Sequence, residues 1–227
     1  KMEDIYTIVY TSGTTGNPKG VVNDFNSASF VASHAVPEFN LTPDDHSVSF
    51  LPLAHVAERV LVELPSLYAG FTVSFVESLD TFSADLQTTQ PTSFVSVPRL
   101  WMKFQSGILS KMSQKKLDRL LAIPIISGLV KSKIKKQLGF SNCRFFGTGS
   151  APTSPITLEW FRKLGIEISE GWGMTETSGA SCLNYPLSKP SLGTIGKPLP
   201  CVEMTLSTEG EILIRGDAVF NEYYLDP

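Results

Sequence analysis

The sequence predicts an α/β protein, with a layered, largely parallel sheet and flanking helices, followed by the start of a small β subdomain. Three observations carry this. From Val48 to Ile168 apolar strand-like runs alternate with longer segments of helical period, the pattern of βαβ units with helices on the faces of a sheet. After Gly179 the helical period disappears and Gly and Pro become frequent, which divides the chain into an α/β part over 1–178 and a β-rich part over 179–227. The 227 residues, 42% hydrophobic and 18% charged, can bury a full core in one or two domains.

The elements follow in order. An apolar stretch, Ile5 to Tyr10, leads into a loop over Thr11 to Lys19 and out through Gly20-Val21-Val22. Strands are expected at Val48–Leu51, Phe71–Val76, Ser93–Val97, Cys143–Phe146 and Ile166–Ile168, because each is a short apolar run between turn residues. Helical spacing places helices between them at about 27–36, 56–69, 82–89, 98–112, 114–138 with a break near Pro124, and 154–163. Two runs, 202–206 and 211–215, are separated by Ser207-Thr208-Glu209-Gly210 and read as a β-hairpin. Ligands of such parallel sheets sit beyond the carboxyl ends of the strands.

Composition excludes several classes. A net charge of −3 argues against a dedicated nucleic-acid binder. Cys143, Cys182 and Cys201 are far apart and odd in number, as expected of reduced thiols in a cytoplasmic protein. His34, His46 and His55 show no metal-ligand spacing. No run approaches the roughly 20 apolar residues of a spanning helix, and the polar start Lys1-Met2-Glu3-Asp4 is not a secretory signal. That start, at Lys rather than Met, suggests an excised fragment. The charge is uneven: segment 101–140 carries nine Lys/Arg against one Asp, so the remainder sums to −11. Leu117, Leu120, Leu121, Ile125, Ile126, Leu129, Val130 and Ile134 form an apolar stripe beside this basic face. The pattern fits either a solvated face over a core stripe or peripheral contact with an anionic membrane.

The run Thr11-Ser12-Gly13-Thr14-Thr15-Gly16-Asn17-Pro18-Lys19 has the chemistry of a phosphate loop. Its glycines allow backbone N–H groups to converge on an anion, its four hydroxyls add donors, and Lys19 adds a mobile positive charge. The order Gly13-x-x-Gly16-x-x-Lys19-Gly20 is not that of a Walker loop, which needs four residues between Gly and Gly-Lys-Ser/Thr.

The string from Tyr10 to Gly20 resembles, residue for residue, the phosphate-loop signature of the adenylate-forming enzymes, which include acyl-CoA synthetases, firefly-type luciferases and peptide-synthetase adenylation domains. A second string, Ser169-Glu170-Gly171-Trp172-Gly173-Met174-Thr175-Glu176-Thr177, resembles the family's aromatic-Gly-x-Thr-Glu segment. The resemblance implies that Trp172 packs beside adenine within the stretch Glu170 to Met174, that Thr175 meets the α-phosphate, and that Glu176 is a Mg²⁺ ligand. A third, Gly147-Thr148-Gly149-Ser150-Ala151-Pro152, resembles the turn that lies along the adenine, which assigns Gly149, Ser150, Ala151 and Pro152 to the base. Ser150 lacks a Gly-x-Ser-x-Gly elbow, so a serine hydrolase is a poor reading.

Leu51-Pro52-Leu53-Ala54-His55-Val56-Ala57-Glu58-Arg59 and Val97-Pro98-Arg99-Leu100-Trp101 resemble long-chain acyl-CoA synthetases in particular. By that resemblance His55 lies at the acyl pocket; as a lone His it also fits a structural role. Arg99 and Trp101 equally suit packing at a helix start. The chain departs from the family at Asp24-Phe25, where Thr-His is usual. It matches the middle of the next conserved block at 210–216 and 223–227, so the ribose-gripping Asp, the hinge and the C-terminal lid domain with its catalytic Lys are expected to lie outside it.

The function implied is activation of a long-chain fatty acid with ATP and Mg²⁺ to an acyl-adenylate, then thioester formation with coenzyme A, to which this chain contributes the central part of the large N-terminal domain and which it is not expected to complete alone. Lys19 and the hydroxyls of Thr11, Ser12, Thr14 and Thr15 would hold the β- and γ-phosphates. The competing readings are a fatty acyl-AMP ligase that loads a carrier protein, and a non-catalytic nucleotide-binding fragment.

Overall fold

A computed structural model describes residues 1–11 and 16–226 of the chain. The first two strands, β1 (Ile5–Thr11) and β2 (Lys19–Asp24), pair antiparallel, with Thr11 opposite Lys19. Asp24 then caps α1 (Phe25–Glu38), its carboxylate accepting from the Ser27 N–H at 2.7 Å. This gives the departure from the family pattern at Asp24 a local physical role, since an N-cap oxygen satisfies one of the orphan donors of the first turn.

A parallel pair follows, β3 (His46–Ser49) and β4 (Thr72–Phe75). Its crossover is a broken helix: α2 (Val56–Glu58), a π-helical turn over Arg59–Glu63, then α3 (Leu64–Ala69), which ends at Gly70 in the left-handed region. Next come α4 (Phe82–Thr89), β5 (Ser93–Ser96), α5 (Pro98–Lys111), α6 (Gln114–Leu121), α7 (Pro124–Leu138), β6 (Phe145–Thr148), α8 (Pro155–Lys163) and β7 (Ile168–Trp172). Three helices thus begin with proline, where its fixed φ suits the first turn and its missing N–H costs nothing.

Strands β5, β6 and β7 are parallel neighbours, so the expected mostly parallel sheet is present. Two short strands, β8 (Cys182–Leu183) and β9 (Lys197–Pro198), extend it antiparallel, so strand pairing runs on past residue 179. The hairpin read at 202–215 is β10 (Glu203–Leu206) with β11 (Ile212–Arg215).

Two apolar cores support these layers. One surrounds Trp101, which is fully buried, with Phe94, Phe104, Phe140, Phe146 and Phe161 about it at centroid distances of 5.2 to 6.2 Å. The other packs α1 through Ala28, Val31 and Ala32 against Val56, Val60 and Leu64, and against Cys201, Val202 and Ala218. Asp45 ties the ends of β3 and β6 together: it accepts from Thr92 Oγ1 at 2.6 Å and from the Arg144 guanidinium at 2.8 Å. Burial alone would raise its carboxyl, but hydrogen bonds from Thr92, Thr42 and Arg144 outweigh that and hold it below the usual range.

Three expectations need adjustment. The strand read at Val48–Leu51 sits two residues earlier, and those read at Cys143–Phe146 and Ile166–Ile168 begin two residues later and run on through Thr148 and Trp172, because the ladder follows backbone pairing through glycines and polar residues that an apolar run does not mark. The helix read over 56–69 is interrupted by the π-helical turn. The apolar stripe of 117–134 is not continuous. Pro124 restarts the helix with a new phase, so Leu117 and Ile134 are buried while Ile125 and Leu129 are 82% and 68% exposed.

Candidate active site

The two motifs with the strongest chemistry meet in space. On the first side, β1 and β2 present the loop between them; Ser12, Gly13, Thr14 and Thr15 lie outside the described residues, whereas Thr11, Gly16 and Lys19 are placed. Thr11 Oγ1 donates to the Lys19 carbonyl at 3.5 Å, and the Lys19 side chain is half-exposed. Its ammonium pairs with Asp226 at 2.7 Å and lies 4.8 Å from the centroid of the Tyr223 ring. The Asp226 carboxylate pushes the Lys19 pKa up, which keeps the group charged throughout the neutral range.

On the other side, β7 delivers Glu170, Gly171 and Trp172 into a tight turn and a single 3₁₀ turn over Thr175–Thr177. Gly173 is required there, because a Cβ would collide with the Gly179 carbonyl. The turn is fastened to β2 by Asn23, 2% exposed, which donates from Nδ2 to the Thr175 carbonyl at 3.1 Å. Tyr223 completes the link by donating its hydroxyl to Glu176 Oε1 at 3.2 Å. Lys19, Tyr223 and Glu176 therefore form one continuous set of contacts.

The third motif joins from β6. Gly149 N–H donates to the Ser96 carbonyl at 3.2 Å and Ser150 takes the left-handed conformation, so the chain turns sharply at the carboxyl end of the strand. Glu170, 4% exposed, accepts at Oε1 from the Thr153 N–H at 2.7 Å and so locks this turn to β7. Its other oxygen, Oε2, is buried and has no hydrogen-bond partner among the described residues.

Between α1, the broken helix and the ends of β5, β6 and β7 lies a cleft of about 1170 Å³, including its open mouth. Gly149, Ser150, Gly171, Trp172 and Gly173 line it together with His55. The remaining wall is mostly apolar, from residues such as Val31, Val56, Val60, Leu61 and Leu183. His55 accepts at Nδ1 from the Ala57 N–H at 3.1 Å, capping α2 while its ring borders the cleft. Three residues on, Glu58 is buried and accepts from the Leu51 N–H at 3.3 Å; burial pushes its carboxyl up.

Ala151, Pro152, Met174, Thr175 and Glu176 do not line this cleft. Ala151, Pro152 and Met174 are exposed, and Thr175 and Glu176 are partly buried on the side toward Lys19. Trp101, read as suited to packing at a helix start, lies wholly in the core. Two residues that hold the motifs together were not among the predicted site residues: Asn23, which carried no local signal, and Tyr223, which lies in the 223–227 match to the family's next block but was given no role.

Among the described residues no group of three or more His, Cys, Asp and Glu side chains gathers to hold a metal. One carboxylate, Glu176, is nevertheless a fitting donor for Mg²⁺, which keeps several waters and is held by one or two carboxylates with substrate phosphates rather than by an all-protein cage.

Comparison with known proteins shows the family and the fold. The chain matches the AMP-binding enzyme family over residues 1–224. It is 38% identical to long chain acyl-CoA synthetase 7, peroxisomal, of Arabidopsis thaliana, over 100% of this chain and 37% of that protein. It is 34% identical to human long-chain-fatty-acid–CoA ligase 1, over 99% of this chain and 37% of that one. The structure resembles o-succinylbenzoate CoA synthetase of Bacillus subtilis in complex with its acyl-adenylate intermediate, with a TM-score of 0.76 and 25% identity over 98% of this chain and 43% of that one. The chain thus spans less than half the length of these relatives.

Proposed function

The chain belongs to the AMP-binding enzyme family, and from that premise we propose that it builds the nucleotide and acyl site of an ATP-dependent long-chain fatty acid–CoA ligase. The observation that carries this is the contact of the Lys19 hairpin with the Thr175–Glu176 turn, beside a largely apolar cleft. The substrates are a fatty acid, ATP and coenzyme A. A carboxylate oxygen attacks the α-phosphorus of ATP, the bond to the bridging oxygen breaks, and pyrophosphate leaves; the thiol of coenzyme A then displaces AMP to give the thioester.

In this reading Lys19 and the Thr11 hydroxyl, with Ser12, Thr14 and Thr15, hold the β- and γ-phosphates, and Lys19 stabilises the charge that gathers on pyrophosphate. Asp226, now paired with Lys19, gives way to the triphosphate. Thr175 meets the α-phosphate. Glu176 holds Mg²⁺, which neutralises phosphate charge when bound. The base lies between Gly149–Pro152 and the stretch Glu170–Met174, against Trp172. The acyl chain occupies the apolar wall near His55, which meets the carboxylate end.

The test is to supply the intact protein, this chain together with the lid domain expected outside it, with ATP, Mg²⁺, palmitate and coenzyme A and to follow products by mass spectrometry. Palmitoyl-CoA is expected. Palmitoyl-AMP without palmitoyl-CoA would redirect the reading to a ligase that loads another acceptor, and absence of both would overturn it.

The same reading includes peripheral contact with a membrane, the source of a long-chain substrate. No helix among the described residues is long and apolar enough to cross one. The support is composition and exposure at α6 and α7: Ile123, Ile125 and Leu129 stand out to solvent, and Lys116, Arg119 and Lys133 on the same two helices are exposed as well, apolar and basic side chains together. Sedimentation with vesicles containing phosphatidylserine should retain the protein, and vesicles of phosphatidylcholine alone should not. The double variant Ile125→Glu with Leu129→Glu should lose roughly tenfold or more of that binding; unchanged retention would remove this face from the proposal.

A further inference from the structure

The segment Phe220–Asp226 is seated as an added edge on β2. Glu222 accepts from the Val22 N–H at 3.2 Å, the Tyr224 N–H donates to the Gly20 carbonyl at 2.7 Å, and Tyr223 stands opposite Val21. Its first residue is fixed from the opposite side, where the Phe220 N–H donates to the Glu176 carbonyl at 2.8 Å. The rings of Phe220 and Tyr223 meet at a centroid distance of 4.7 Å, nearly edge to face. Backbone bonds on both flanks therefore set where the Tyr223 side chain goes, and it reaches two functional groups at once. Its hydroxyl donates to Glu176 Oε1 at 3.2 Å, and the Lys19 ammonium sits over its ring face at 4.8 Å.

We propose that Tyr223 is a positioning residue that sets the metal-holding carboxylate and the phosphate-holding lysine in register with each other. By occupying Oε1 of Glu176, the hydroxyl fixes the carboxylate rotamer and leaves Oε2 as the oxygen offered to Mg²⁺. Through its ring, whose face carries negative charge density, the same residue holds the ammonium of Lys19 on the side of the triphosphate. The two functions of one side chain are separable, because a phenylalanine keeps the ring and loses the hydroxyl.

This inference rests on the nucleotide-binding reading above, and the experiment distinguishes the failure of one from the failure of the other. ATP binding to the wild-type protein, Tyr223→Phe and Tyr223→Leu is measured by titration calorimetry, with Mg²⁺ varied and again in EDTA, after thermal melts show that each variant folds. Tyr223→Phe should need roughly tenfold more Mg²⁺ for half-maximal ATP binding, the usual cost of losing a partner that orients a metal ligand, while its binding in EDTA stays as in the wild type. Tyr223→Leu should show the same metal shift and also a loss of about two- to fivefold in EDTA, from the missing ring. A purely structural tyrosine would move both conditions together. If wild type binds Mg²⁺-ATP and Tyr223→Phe titrates identically, the positioning role is overturned by that one variant, even where Tyr223→Leu fails to fold. If wild type binds no ATP at any Mg²⁺ concentration, the nucleotide reading falls and this inference with it.

Discussion

Replacing Lys19 with alanine should slow ATP–pyrophosphate exchange by about 10²-fold or more, the scale seen when one preorganised charge is withdrawn from a developing anion. The geometry makes the expected result specific. Lys19 stands at the first position of β2, exposed, with its ammonium paired with the exposed Asp226 and held over the Tyr223 ring. Its removal opens no cavity and leaves no buried group unpaired, so stability should barely change. Loss of the charge should therefore appear in kcat and kcat/KM for adenylate formation, with melting temperature held. Lys19→Arg should recover part of the rate, since it keeps the charge but not the compact, rotatable donor. Exchange at the wild-type rate in the Lys19→Ala protein would exclude the lysine from pyrophosphate stabilisation and leave the loop with a purely structural task.

What could be read from the chain depended on how local the physical cause was. Helix and strand limits came through within about two residues because periodicity is a property of neighbours, and Pro98, Pro124 and Pro155 mark helix starts by fixing φ. The site strings 147–152 and 169–177 were legible for a similar reason: each runs from the end of a strand into a turn, and the glycines at 149 and 173 stand where other backbone comes close. The joints between strings were not legible. Asn23 meets Thr175 across 152 positions and Tyr223 meets Lys19 across 204, and nothing next to either residue announces a partner. Phase was lost for another reason. A stripe counted through Pro124 treats two helices as one, and the restart turned Ile125 and Leu129 outward. Val97-Pro98-Arg99-Leu100-Trp101 was legible as packing at a helix start, and Trp101 is buried there in the larger apolar core.

Trp101→Ala should cost about 3–5 kcal/mol of folding stability, the range for removing a large buried aromatic ring. The side chain is fully buried, and its Nε1 donates to the Gly147 carbonyl at 3.1 Å from the middle of β6. Alanine would leave a void among Phe94, Phe140 and Phe161, and would remove the indole hydrogen bond to that carbonyl as well. Against total stabilities of about 5–15 kcal/mol the loss is large. For a chain of this length it corresponds to a fall in melting temperature on the order of 10 °C, measurable by calorimetry or urea titration. Trp101→Phe separates the two causes: it keeps most of the ring and loses only the hydrogen bond, so its cost should be about 1–3 kcal/mol. The same substitution bears on function, because Gly147 precedes the Gly149–Pro152 turn on one strand and lines the cleft. Slackening β6 from behind should weaken nucleotide binding at temperatures where the protein is still folded. A Trp101→Ala protein that melts with the wild type would mean the aromatic cluster does not hold the sheet, and that the turn at Gly149 owes its position to Glu170 and Thr153 alone.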